Sequence, residues 1–85
     1  MAAKPYNGFP SWNAWNVSLW INNEEWLYNA ATMASRAKVR CGKLQNVWRV
    51  RAAAFIADYG LTRTPDGARY SVASVAPVLR EMAEG

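Results

Sequence analysis

Eighty-five residues are enough for one domain, 1–85, and too few to bury more than roughly 60 to 65% of the unfolded surface. Apolar residues make up 52% of the chain and the net charge is +4, which fits a globular protein with a basic surface. The single cysteine, Cys41, excludes an intrachain disulfide and fits a reducing compartment; the start MAAKPYNGFP lacks the apolar run of a signal peptide, and no window approaches the roughly 20 apolar residues of a membrane span, so a soluble intracellular protein is expected.

Residues 1 to 10 read as an irregular arm. Pro5 and Pro10 restrict the residues before them and Asn7-Gly8 is a turn signal, so Tyr6 and Phe9 are expected to lie on the helices that follow. From Tyr6 to Tyr28 the chain holds four of its five tryptophans, interleaved with small polar groups, and the core is expected to nucleate here. Ser11 is the expected N-cap of a first helix running from about Trp12 to Asn22. Trp12, Trp15 and Leu19 follow i, i+3, i+7 spacing and form its expected core face. Val17 and Ile21 lie on the opposite side, with Trp20 between. Apolar side chains on both sides predict a helix that is buried on both sides and central in the fold.

Asn22-Asn23-Glu24-Glu25 reads as a stop followed by a start, with both glutamates in a first turn where the helix dipole favours negative charge. Helix two is expected from about Glu24 to Lys38, with Trp26, Ala30, Met33, Ala34 and Ala37 as its inner stripe. Val39 to Gly42 is the expected connection. Helix three runs in expectation from about Lys43 to Tyr59, with Leu44, Trp48, Ala52, Phe55 and Tyr59 on one face and Gly60 as the C′ residue. Thr64-Pro65-Asp66-Gly67 has proline and glycine where a tight turn uses them. Tyr70-Ser71-Val72 reads either as a short extended piece or as the lead-in to a helix. Ser74 is the expected N-cap of a short fourth helix that ends near Glu84, with Pro77 in its first turn and Val75, Val78, Leu79 and Met82 facing inward. The fold class is therefore all-α: a small bundle of three main helices plus a short C-terminal helix, with an irregular aromatic N-terminal arm closing one side.

Catalysis is poorly provided for. There is no histidine, the commonest general base and metal ligand. Glu24 and Glu25 point about 100° apart on a helix and cannot face each other across a substrate. Cys41, beside Arg40 and Lys43, has no base to complete a nucleophilic site. Glycine-rich phosphate loops and metal-ligand spacings are missing. The chain therefore reads as a non-enzyme, with no catalytic residue, metal ligand or cofactor assigned.

Arg36, Lys38, Arg40, Lys43, Arg49 and Arg51 fall within 16 residues, and no acid lies between Glu25 and Asp58. Such a block sets up a positive field suited to phosphates or to an acidic protein face, or else a solvated helix face. These six are the candidate binding residues. Trp20 either packs under the N-terminal arm or stands exposed as an aromatic anchor, since Trp is enriched at binding hot spots.

Tyr6-Asn7-Gly8 and the run from Trp15 through Asn16, Val17, Ser18, Leu19, Trp20, Ile21, Asn22, Asn23 and Glu24 to Glu25 together resemble a family of small, largely uncharacterised proteins of bacteriophages and other mobile elements. Its members look like Y-N-G, a spacer, then W-N-V-x-L-W-I-x-N-[DE]-E. The Thr64 to Gly67 turn, Tyr70 and the C-terminal helix are similar to that family as well. The resemblance implies an accessory gene product acting in the host bacterial cytoplasm. Analogy of gene context adds a stoichiometric binder that inhibits a host macromolecular machine such as a defence complex, in the manner of anti-CRISPR or anti-restriction proteins. Its partner would be a host protein or nucleoprotein complex, with no membrane. Two other readings stay open: a small basic DNA- or RNA-binding accessory protein using the same cations on phosphates, and a structural homo-oligomer, such as a homodimer paired through aromatics of helix one.

Overall fold

Four helices form among the described residues, 8–38 and 46–84, of a computed structural model: α1 Trp12–Asn23, α2 Glu25–Ser35, α3 Val47–Tyr59 and α4 Val72–Glu84. The expected contributions of Tyr6, of the connection from Val39 to Gly42 with Cys41, and of Lys43 and Leu44 lie outside these residues.

Local chemistry sets the helix ends. The Ser11 hydroxyl accepts the Ala14 N–H at 3.1 Å, as its capping role requires. Glu24 alone separates α1 from α2, in extended backbone at φ −107°, ψ 115°. Its N–H donates to the Trp20 carbonyl at 3.1 Å and its carbonyl accepts from Tyr28 at 2.8 Å, so one residue closes one ladder and opens the next. The asparagines before it do not cap; Asn22 donates back to the Ser18 carbonyl at 2.7 Å. α2 ends three residues before its expected limit at Lys38. There Arg36 and Ala37 donate to the carbonyls of Met33 and Ala34 at 3.2 Å each, the tightened i to i−3 pattern of a closing turn. Gly60 ends α3 in the left-handed region at φ 60°, ψ 37°. Its N–H reaches Ala57 and that of Leu61 reaches Ile56 at 3.0 Å, a Schellman closure.

α4 is 13 residues long, as long as α3. Its N-cap is Ser71 and not Ser74. The Ser71 hydroxyl accepts the Ser74 N–H at 3.2 Å while the Ser74 hydroxyl accepts the Ser71 N–H at 2.9 Å, a reciprocal box that starts the helix three residues earlier than expected. Pro77 consequently sits past the first turn. Its missing N–H releases the carbonyl of Ala73, an exposed residue.

α4 and α2 each pack on all three other helices, α4 the more extensively and so the central one, whereas α1 and α3 do not meet. Val75, Val78 and Leu79 are fully buried and join Val17, Ile21, Leu27, Ala31, Ala52 and Phe55 in one core. The inward faces of α3 and α4 are those expected, apart from Tyr59, which is exposed. α1 differs. Its buried face is Ala14, Val17, Ser18 and Ile21 with Asn16, while Trp12 and Leu19 are exposed and Trp15 is half-buried. Small and β-branched side chains let α1 approach α2 and α4 closely, and interaxial distance follows the residues at the contact; the bulkier rings are set on the rim. α2 turns in the same sense, burying Leu27, Ala30, Ala31 and Ser35 and leaving Trp26 and Met33 outside.

Between α3 and α4 the chain makes a tight hairpin. Arg63 and Arg69 pair in an antiparallel bridge, Thr64 donates to the Ala68 carbonyl at 2.8 Å, and Gly67, at φ 95°, donates to the Thr64 carbonyl at 2.8 Å. The tip of this hairpin is clasped to α1. The buried Asn16 accepts the Thr64 hydroxyl at 2.6 Å and donates to Asp66 Oδ2 at 3.0 Å, and the Trp20 indole N–H donates to the same oxygen at 2.9 Å.

The bonds from Asn16 and then from Trp20 hold the Asp66 carboxyl below its ordinary range, against a smaller opposing effect of desolvation. A depressed pKa in the folded state means that the clasp contributes its full stability above the unfolded value of about 4 and loses it as pH falls through the lower folded value. Urea denaturation across that range is expected to show a loss of stability on acidification, and Asp66→Ala to be less stable at neutral pH and to lose part of this acid dependence. An acid limb of unchanged slope in the variant would contradict the assignment.

Candidate functional site

The described members of the basic block do not share one function. Arg36 occupies the C-terminal end of α2, exposed, and lines a groove of about 470 Å³ with Phe9, Tyr28, Glu81 and Met82. Lys38 is exposed two residues on. Arg49 is exposed on α3 and lines a shallow groove against Val72, Ala76 and Pro77 of α4. Arg51, about 200° further round the same helix, turns toward α2. Its Nε–H donates to the Ala37 carbonyl at 2.8 Å and its guanidinium lies 4.7 Å from the Trp48 ring. It acts as a strut between α3 and the end of α2. Arg40 and Lys43 lie outside the described residues. Trp20 is half-buried with its indole N–H engaged by Asp66, so the candidate anchor has a partner within the chain.

The fold adds two cations that the sequence block did not include. Arg63 and Arg69 face each other across the bridge, both exposed, while Thr64, Ala68 and Tyr70 point inward. The bridge holds two like charges directly opposite, an unfavourable arrangement in the absence of an anion. Arg63 Nη1 donates to the Gly67 carbonyl at 3.2 Å, which keeps that guanidinium folded over the turn. The one carboxylate of the turn, Asp66, is committed to Asn16 and Trp20. The signal in the sequence was period-two alternation on either side of the Pro65-Asp66 tip, which sends 63 and 69 to one face and 64 and 68 to the other.

Among the described residues the one ion pair is Arg80–Glu84 at 3.1 Å, an exposed helical pair worth about 0.3 to 0.5 kcal/mol. Arg36, Lys38, Arg49, Arg63 and Arg69 are therefore exposed without a carboxylate in salt-bridge reach there. Burial, and next the Glu24 carboxylate, push the Tyr70 phenol above its ordinary value, which keeps it neutral under the hairpin. No cluster of metal-ligating side chains occurs among the described residues, and none of their helices is long and apolar enough to cross a membrane.

The two halves of the clasp, α1 and the hairpin, are matched together by one sequence family. The chain belongs to a family of unknown function, DUF7249. The family's sequence model matches residues 2–84, which takes in the tryptophan-rich helix, the Thr64 to Gly67 turn and α4. No curated protein and no solved structure matches the chain. Membership in DUF7249 names no activity.

Arg51→Ala is expected to lower stability by about 1 to 2 kcal/mol, through a lost hydrogen bond and a lost cation–π contact. Arg49→Ala is expected to stay within about 0.5 kcal/mol of the parent. Thermal or urea unfolding of the two variants checks this, and equal effects would contradict the division between strut and surface.

Proposed function

We propose that this chain is a non-catalytic accessory protein of a bacteriophage or other mobile element that binds a host macromolecular machine in the bacterial cytoplasm and inhibits it by occupancy, in the anti-CRISPR or anti-restriction manner. The observation that supports it is the uncompensated basic surface. Five exposed cations, Arg36, Lys38, Arg49, Arg63 and Arg69, have no carboxylate in salt-bridge reach among the described residues. Arg63 and Arg69 in particular leave the backbone at directly opposed positions of the hairpin, where their guanidinium groups are available to a carboxylate or phosphate. A charge arrangement of this kind raises the encounter rate with an acidic surface and sets register on it. The mobile-element origin rests on the resemblance of the run from Trp15 to Glu25 and of the Thr64 to Gly67 turn to small proteins of such elements, and the inhibitory role on analogy of gene context. The ionisable group that the structure orients most closely, Asp66, is used to hold the hairpin, which favours binding over turnover. The same cations would serve a small DNA- or RNA-binding protein, and salt separates the two readings.

The test is capture from a bacterial host lysate with the tagged chain and with its Arg63→Glu/Arg69→Glu variant, washed at low and moderate salt and assayed for protein and for nucleic acid. The expected result is a discrete protein or nucleoprotein complex that survives moderate salt and falls roughly tenfold with the double variant. Nucleic acid alone, lost as salt rises, would replace the inhibitor reading with the nucleic-acid one. Equal capture by both chains would remove the basic surface from the account.

A further inference from the structure

The apolar stripe that periodicity assigns to the inside of α2 stands largely on the outside. Trp26 is 54% exposed, Met33 72% and, across a groove on α3, Tyr59 48%. Ala30 and Ala34 of α2, Ala37 just beyond its end and Ala54 of α3 line that groove of about 210 Å³, together with Met33 and Tyr59. The Trp26 and Tyr59 ring centroids lie 6.0 Å apart, so the apolar surface runs from one helix to the other. A helical stripe this apolar is ordinarily covered, and a chain of 85 residues has little other surface to bury.

We propose that the α2–α3 face is covered by the same face of a second copy of this chain, in a two-fold dimer. Two features select a second copy over a foreign protein. The patch carries both a protruding side chain, Met33, and an alanine-lined groove that accepts one, and a two-fold interface requires this self-complementarity. Its charges are self-complementary as well. Arg51 and Asp58 both line the groove, seven residues apart on α3, so they lie on one side of the helix about 10 Å apart along its axis. A two-fold axis passing between Ala54 and Phe55 runs α3 antiparallel to its copy and sets each Arg51 opposite Asp58 of the partner subunit. Asp58 has no ion-pair partner among the described residues, and Arg51 uses only its Nε–H on Ala37, which leaves its other donors for a carboxylate. The face is neutral in sum while the chain carries +4, so an acidic partner held by the basic surface has no charge reason to settle here.

Analytical ultracentrifugation of the full chain tests this independently of any host partner. The expected result is twice the chain mass from micromolar concentration upward, retained at raised salt, because the middle of the interface is apolar and only the flanking Arg51–Asp58 pairs are screened. Met33→Glu is expected to give the monomer mass with helical content retained, since Met33 contributes little to the core. Asp58→Arg sets like charges opposite each other and is expected to weaken the dimer at least tenfold. Leu19→Glu, on the exposed side of α1, is expected to leave it intact. A monomer mass for the parent chain at every concentration overturns the proposal. So does a dimer that persists in Met33→Glu, or one lost in Leu19→Glu, which would move the contact to α1.

Discussion

The structure depends on one buried carboxamide. Asn16 uses its oxygen on the Thr64 hydroxyl and its amide on Asp66, and Trp20 one turn later donates to the same carboxylate oxygen. These bonds join residues 46 to 50 positions apart in the chain. They hold the hairpin on α1, and the hairpin delivers Ala68 and Tyr70 to the core and Ser71 to the start of the central helix. The network is closed at its far end, where the Ala68 N–H donates to the Thr64 hydroxyl at 3.0 Å. Among the described residues every buried side-chain nitrogen and oxygen has a partner. A satisfied polar network of this kind specifies one arrangement of the hairpin, because a slipped alternative would leave donors unpaired in a poorly solvated place.

That role changes what the tryptophan-rich run means. Part of it serves the fold: Asn16 and Trp20 hold the hairpin and Val17 and Ile21 fill the core, while Trp12, Leu19 and Trp26 stand exposed. Two exposed surfaces differ in kind. The outer side of the hairpin presents Arg63 and Arg69, whose interactions are screened by salt. The α2–α3 face presents Trp26, Met33 and Tyr59, whose burial salt does not weaken. A chain too small to cover all of its large apolar side chains can place the excess in an interface and leave the charged surface free for another partner.

Features governed by local rules were legible in the sequence. Ser11 and Gly60 mark helix ends because each satisfies orphan backbone groups within a few residues, and Pro65 with Gly67 marks the turn. The inner faces of α3 and α4 followed from period, apart from Tyr59. Period failed on α1 and α2 for one reason: it states which residues share a face and not which face is inside. Trp12, Trp15 and Leu19 outweigh Ala14, Val17 and Ile21 in size, yet the smaller set permits the closer approach. Ser71 and Ser74 cap equally well by type, and only the reciprocal bonds choose between them. The positions of Arg63, Arg69 and Asn16 became meaningful through contacts across the hairpin and across half the chain, which local pattern does not carry.

The most direct test of the clasp is a double-mutant cycle on Asn16→Ala and Asp66→Ala, followed by urea denaturation at neutral pH. Coupled residues give a double variant that loses less than the sum of the two single losses, because the Asn16–Asp66 bond is broken in both singles, while Asn16→Ala alone also loses the Thr64 bond and Asp66→Ala alone the Trp20 bond. That result is predicted. Strictly additive losses would show that Asn16 and Asp66 act independently, and would contradict the account of the hairpin as held by α1.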